Sequence, residues 1–152
     1  MPLPATYRHA SKDWRAFLDD ACARMNDISD NSAYTAVDAV LQVFRRRLTV
    51  PQALAFADVL PAVLRAIFVA RWDSEAAPIA FADRAEMVAE AQAVRRHHNL
   101  TPDDCIDAVA WALRRHVNQR DLDRVLAGIG PGAQAFWHVV VDDPRELERR
   151  IT

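Results

Sequence analysis

The chain has 152 residues, of which 51% are hydrophobic and 26% charged, and its net charge at neutral pH is −2. A chain of this length can bury roughly 70% of its unfolded surface as one domain, without disulfides or metals. The near-balanced charge excludes a global basic field, so we expect neither nucleic acid nor an anionic membrane surface as a partner.

The composition also points to a helical protein of the cytoplasm. Glycine occurs only three times while alanine is abundant, which favours helix over sheet. Cys22 and Cys105 fall on apolar helix positions, and we expect reduced thiols rather than a disulfide. The first ten residues contain no apolar stretch, and no window approaches a membrane span of about 18 uncharged apolar residues. We therefore predict a cytoplasmic protein.

Two amphipathic helices open the chain. Apolar residues at helical spacing begin at Trp14, behind Ser11 as a possible N-cap. The same spacing restarts after Asp30 or Ser32 and ends in three consecutive arginines, residues 45–47, where positive charge complements the helix dipole. The second of these helices has the clearest pattern in the sequence.

Two shorter helices complete the first half. Thr49 is followed by Pro51 and by Gln52, which is the pattern of a capped helix start with a reciprocal glutamine. Pro61 lacks a backbone donor and disfavours helix at the residue before it, so we predict a break there and a new helix beyond it. Residues 73–78 then form a linker.

The second half repeats this order of elements. A helical stripe begins at Phe81 and is predicted to end at His97 and His98. Thr101 precedes a proline and two acids, which is the pattern of a helix N-terminus. The glycines and proline at residues 130–132 predict a further break between two short helices.

Matching segments indicate a duplication. Asp107 follows Asp38 by 69 residues within similar surroundings, and Pro131 follows Pro61 by 70 residues, which requires one inserted residue. The two aspartates could form a symmetric pair, but we expect Asp38 to pair with an arginine such as Arg65. We predict an all-α bundle of two tandem repeats packed about a pseudo-twofold axis. Within one domain, 1–152, the repeats span about 14–72 and 81–141, and a C-terminal capping helix spans about 143–151.

Three segments of the first repeat resemble a bacterial family known as domain of unknown function 2267: residues 33–41, 47–49 and 60–66. The second repeat resembles the family more faintly, and the likeness covers roughly residues 14–141. Two positions depart from the family pattern. Glycines flank Pro131 in the second repeat, and Arg71 stands where a glycine is usual. The resemblance implies a duplicated helical module in a bacterial cytoplasm, with an interaction or regulatory role and no catalytic residues.

One cluster of metal-ligand residue types lies near a predicted helix junction. His97 and His98 precede Asp103, Asp104 and Cys105. Adjacent residues of a helix point about 100° apart, so both histidines could reach one ion only beyond the helix end. We interpret the histidines as favourable charges at a helix C-terminus and predict no metal and no cofactor.

Two arginine runs could bind phosphate. Arg45 and Arg46 end one central helix, and Arg114 and Arg115 end its counterpart in the second repeat. Because cations are favourable at helix C-termini without any ligand, a solvated helix end is the interpretation that we prefer.

Two tryptophans and two histidines complete the candidate contacts. Trp111 lies off the apolar stripe of its helix and Trp72 follows a helix end, so both are candidates for a contact between the repeats or with a partner. His116 and His138 lie near apolar residues and could contact a ligand or haem, although a histidine satisfied within the fold is more common.

These observations favour a non-catalytic interaction or regulatory module, possessing a protein partner or forming a homodimer. The alternative is a helical module that binds a small ligand or haem in a cleft between the repeats. A hydrolase is not supported, because no base and nucleophile occur in a recognisable arrangement.

Overall fold

The structure, a computed structural model, describes residues 2–94 and 101–148. All regular secondary structure in these ranges is helical, which confirms the predicted all-α class. None of the helices described there is long and apolar enough to cross a bilayer. The α-helices are α1 (Ala5–Arg8), α2 (Ala10–Arg24), α3 (Asp30–Arg45), α4 (Val50–Asp58), α5 (Ala62–Val69), α6 (Arg84–Ala93), α7 (Cys105–Arg115), α8 (Gln119–Ile129) and α9 (Pro131–Phe136), and a 3₁₀ helix spans Pro144–Leu147.

Two helix boundaries in the first half match their predicted chemistry. The Thr49 side chain accepts a hydrogen bond from the Gln52 backbone, and the Gln52 side chain accepts one from the Thr49 backbone, forming a complete capping box. Pro61 separates α4 from α5 as predicted. The predicted Ser11 cap is wrong, because Ser11 lies inside α2, and α3 is capped by Ser29.

The second half departs further from the predicted starts. Helix α6 begins after Phe81, with Asp83 as its cap, and α7 begins at Cys105 rather than at Thr101. Gly130 has a φ of 136°, a conformation that favours glycine, and it separates α8 from α9 as predicted. The predicted helix end at His97 and His98 lies outside the described residues.

A single hydrophobic core joins both halves of the chain. Helix α2 packs on α7, α3 packs on α6 and α7, and α4 packs on α8. Aromatic rings fill the middle: Phe44 lies 4.8 Å from Phe56 and 5.0 Å from Phe136, measured between ring centroids, and Trp137 stacks on Phe56 at 5.5 Å. The junction between the halves is therefore occupied by side chains.

A linking segment, residues 70–83, connects α5 to α6 over the end of α3. The Ile79 backbone donates a hydrogen bond to the Arg46 carbonyl at 3.0 Å. The Phe81 ring packs against Gly132 so closely that a Cβ there would lie 2.5 Å from the ring. These two contacts fix the far end of the segment, which then bounds a groove.

Candidate interaction groove

A groove of about 690 Å³ lies between the C-terminal end of α3, the start of α4 and the linking segment. We call it the Trp72 groove, and its volume is in the range of protein sites that hold a small ligand or a few side chains. The second groove described, of about 510 Å³, lies between α2, α3 and α5. Gln42, Arg45, Arg46, Leu48, Thr49, Val50 and residues 71–79 line the Trp72 groove.

Arg45 forms the buried cationic part of this groove. Its guanidinium donates hydrogen bonds to the carbonyls of Phe68 at 2.7 Å and Ala70 at 3.0 Å, at the end of α5, where carbonyls lack helical partners. The same group lies 5.9 Å from the centre of the Trp72 ring. Burial lowers the pKa of Arg45, although the nearby Asp38 carboxylate opposes this shift. Arg45 thus fixes the start of the linking segment.

Arg71 has a backbone conformation that is unusual for a residue with a side chain. Its φ is 53°, in the left-handed region that costs a residue with a Cβ about 1 kcal/mol. Its exposed side chain reaches the buried Asp38 carboxylate at 3.4 Å. The predicted Asp38–Arg65 pair is wrong, because Arg65 instead donates to backbone carbonyls, including that of Ala57 at 3.0 Å. Arg71 is therefore the most accessible cation of the groove.

Arg46 and Arg47 connect α3 to α6. Both donate to Glu90 at 2.7 Å, and the Arg47 side chain is only 3% exposed. Burial alone would raise the pKa of Glu90, but the two guanidinium groups lower it below its ordinary value. These contacts use both cations to hold α3 against α6, and phosphate binding by the arginine run stays a prediction.

Two apolar side chains lie on the rim of the Trp72 groove. Val50 is 36% exposed and Ile79 is 49% exposed, and both line the groove. Leu54, 52% exposed, lies one turn after Val50 on α4 and extends the same face. Trp72 itself is half-buried between this rim and the core. Exposed apolar side chains next to a cation are typical of a surface that binds another molecule.

The predicted site residues Arg114, Arg115 and His116 lie elsewhere, and two of them contact Asp20 of α2. Asp20 accepts a hydrogen bond from Arg115 at 3.1 Å and lies 2.6 Å from His116 Nε2. Arg114 donates to the Trp137 carbonyl at 2.7 Å and pairs with Asp123 at 3.0 Å. Arg114, Arg115 and His116 therefore bind groups of their own chain and do not come together with the Trp72 groove.

Trp111 is also occupied by its own chain. It is only 8% exposed, and its indole N–H donates to Glu146 at 3.0 Å. The guanidinium groups of Arg24 and Arg115 lie 4.9 Å and 4.7 Å from its ring centre. His138 is exposed and lines neither of the two described grooves. Of the two candidate tryptophans, Trp72 is the one that borders a groove.

Comparison with known proteins adds a family. A family model described as an uncharacterized conserved protein (DUF2267) matches residues 14–136, which is most of the chain. The chain belongs to this family. A search of the curated proteins found no match. The match begins within α2, extends to the end of α9 and includes every residue that lines the Trp72 groove.

The residues that could bind a metal or react as thiols were also compared with their predicted roles in this DUF2267 member. Among the described residues, no three histidine, cysteine, aspartate or glutamate side chains are grouped to hold a metal, while His97 and His98 lie outside those residues. Cys22 and Cys105 are free thiols. Burial raises the pKa of Cys105 to about 11, so at neutral pH it is the protonated, unreactive form.

Sequence patterns do not identify two residues of the groove, Ile79 and Arg71, as site residues. Ile79 follows a proline in the predicted linker, with no periodic pattern to indicate which way it points. At Arg71 the family resemblance implies a glycine, and glycine is favoured where the backbone is left-handed, as it is here.

The contacts of Asp20 with Arg115 and His116 are expected to make the stability of the fold depend on pH. Burial would raise the pKa of Asp20, but the hydrogen bond with His116 and the charge of Arg115 lower it below 3.8. Because the folded pKa is lower than the unfolded one, ionised Asp20 stabilises the fold above the unfolded pKa, and this contribution is lost as pH falls through the folded pKa. Asp20→Asn should lower the free energy of unfolding by about 2 kcal/mol at neutral pH.

Urea unfolding at neutral pH and at an acidic pH below 3.8 checks this dependence, because the gap between the wild type and Asp20→Asn should narrow in acid. Asp19→Asn is the matched control, since the neighbouring Asp19 side chain is 64% exposed and its removal should cost less than about 1 kcal/mol. A gap of equal size at both pH values contradicts the role of the Asp20 charge.

Proposed function

We propose that the chain is a non-catalytic helical interaction module that binds a protein partner, including a second copy of itself, through the Trp72 groove. The observation that carries the proposal is the half-buried Trp72 between an apolar rim, Val50 and Ile79, and the exposed guanidinium of Arg71. Aromatic and arginine side chains in this combination are enriched at protein interfaces.

A non-catalytic role is supported by how the titratable groups are used. His116 and Asp20 form the closest acid–base pair that the described residues show, but Arg115 binds the same carboxylate and Phe17 packs edge-on against the histidine ring at 5.9 Å. Such contacts hold α2 against α7 and leave no visible nucleophile beside the base.

We also infer that the module arose by duplication, and two equivalent contacts support this. Arg45 donates to the Phe68 carbonyl and Arg114 donates to the Trp137 carbonyl, in both cases 23 residues further along the chain. The two arginines are 69 residues apart, the offset that relates the aspartates of the matching segments. The side-chain caps of α4 and α8, Thr49 and Asn118, share the same offset.

A constant offset of 69 also relates the starts of α5 and α9, Ala62 and Pro131. The helix starts therefore support an alignment without the inserted residue that the prolines suggested. The proposed equivalents α3 and α7 pack on each other, as do α4 and α8. A pseudo-twofold axis passing between these pairs would produce such contacts, and we propose such an axis. We also propose a bacterial, cytoplasmic setting.

The ligand-binding alternative stays a prediction. All residues that line the two described grooves belong to the first half of the chain or to the linking segment, and none is a histidine. Aromatic rings fill the junction between the halves, where the cleft was predicted. An absorption spectrum of protein purified with its natural load tests the haem form directly, since the absence of a Soret band removes it.

Paired capture experiments test the interaction proposal. Wild-type protein, Trp72→Ala and Ile79→Ser are immobilised and incubated with extract of cells that natively express the chain. We expect the proteins retained by the wild type, including its own untagged copies, to be lost from both variants. Ile79→Ser tests the rim without touching the core, and Leu3→Ser, which removes an exposed apolar side chain outside the groove, is the control. Equal retention by the wild type and Ile79→Ser contradicts the proposal.

A further inference from the structure

The most exposed large apolar side chain of the described residues lies on the surface segment between α9 and the 3₁₀ helix. Val140 is 81% exposed. Its neighbours Val139 and Val141 are half-buried against the core, so the side chains alternate as in an extended strand. Asp142, two residues after Val140, is also exposed. The segment thus presents an apolar side chain and a carboxylate that are neighbours along the chain.

The Trp72 groove offers the complement to this pair. Its rim carries Val50 and Ile79, and the Arg71 side chain beside Trp72 is 66% exposed with one long contact, 3.4 Å, to Asp38. Asp73 and Glu75 lie on the linking segment, so an incoming carboxylate is favoured at the arginine side of the groove and disfavoured along that segment.

We propose that the occupant of the Trp72 groove is a second copy of this chain, which inserts Val140 against Ile79 and pairs Asp142 with Arg71. This inference rests on the proposed function and names its partner. Groove and segment are different patches of one chain, so a twofold dimer contains the contact twice, each copy supplying the segment to the other. The dimer has two small contacts and is expected to be transient.

Sedimentation equilibrium of the full chain tests the inference, with concentrations up to about 0.5 mM. Burial of one valine side chain corresponds to about a tenfold change in a dissociation constant, so Val140→Ser should weaken a dimer with two contacts by about a hundredfold. Asp142→Arg should weaken it as well, and more strongly at low salt, because it places a cation opposite Arg71. Both positions are exposed, so these variants should fold as the wild type does.

A double-mutant cycle identifies the contact. If Val140 meets Ile79, Ile79→Ser should weaken the dimer as Val140→Ser does, and the double variant should be little worse than either single variant. Leu3→Ser, another exposed apolar position, should leave dissociation unchanged.

Three other results overturn the inference. A dimer that Val140→Ser does not weaken, or one in which the two substitutions act additively, places the interface elsewhere and leaves the capture experiment to decide the proposed function. A chain that remains monomeric at the highest concentration removes the second copy as occupant, and loss of another captured protein from Trp72→Ala and Ile79→Ser would then still support the proposed function.

Discussion

Replacing Arg45 with methionine should lower the free energy of unfolding by about 2–4 kcal/mol. Arg45 is 8% exposed, and its guanidinium supplies the donors for the Phe68 and Ala70 carbonyls. Methionine preserves much of the side-chain volume but leaves both carbonyls without this donor. The relief of burying a charge offsets only part of that loss, because breaking a buried polar contact leaves its other members unpaired.

The adjacent Arg46→Met is the control for this substitution. Arg46 is 42% exposed and pairs with Glu90, so its loss should cost about 1 kcal/mol or less. Urea unfolding measures both values, and the indole signal of Trp72 should change only in Arg45→Met, because Arg45 lies beside that ring. Similar costs for the two variants would mean that the buried contacts of Arg45 contribute little.

Gly132→Ala should destabilise the fold by about 1–3 kcal/mol, although alanine is the better helix former. An added Cβ would lie 2.5–2.9 Å from three side-chain atoms of Phe81, including its Cβ, so rotation of the ring alone cannot relieve the clash. The end of the linking segment must move instead, which should also weaken binding at the Trp72 groove.

Gly128 provides an opposite control within α8. A Cβ added there meets nothing within 4 Å, so Gly128→Ala should stabilise the fold by up to about 1 kcal/mol. Introducing Gly132→Ala into a Phe81→Ala background should cost clearly less than in the wild type, since the two closest ring atoms, at 2.5 and 2.6 Å, are absent and only the Cβ at 2.9 Å remains. Thermal and urea unfolding of these variants measures the costs, and a Gly132→Ala substitution that is equally destabilising in both backgrounds would locate the strain elsewhere.

Local chemistry determined which boundaries could be predicted. Thr49 and Gln52 satisfy each other's backbone within four residues, and Pro61 cannot donate in any fold, so both signals hold regardless of tertiary structure. Thr101 has an equally strong local pattern, but Gln92 of α6 donates to its carbonyl at 3.0 Å and to Asp103 at 2.8 Å. This contact ties the segment to α6, and α7 begins four residues later.

The groove could be predicted only in part. The position of Trp72 after a helix end indicated a candidate contact, whereas its neighbours depend on the left-handed Arg71 and on the buried Arg45, which no periodicity reveals. Trp111 shows the converse. It lies off the apolar stripe of its own helix, yet Arg24 and Glu146 from distant parts of the chain cover it. The sequence therefore predicted the same role for Trp72 and Trp111, and only contacts between distant parts of the chain distinguish the two.

The most direct test of the Trp72 groove as the interaction surface is the indole N–H region of ¹H–¹⁵N spectra, recorded from dilute to concentrated protein and with any captured partner. Trp72→Phe and Trp111→Phe assign the two signals. The Trp72 signal should shift as the complex forms, while the signal of Trp111, whose indole N–H donates to Glu146, should stay in place. A complex that forms while Trp72 is unchanged and Trp111 shifts would contradict the Trp72 groove as the interaction surface.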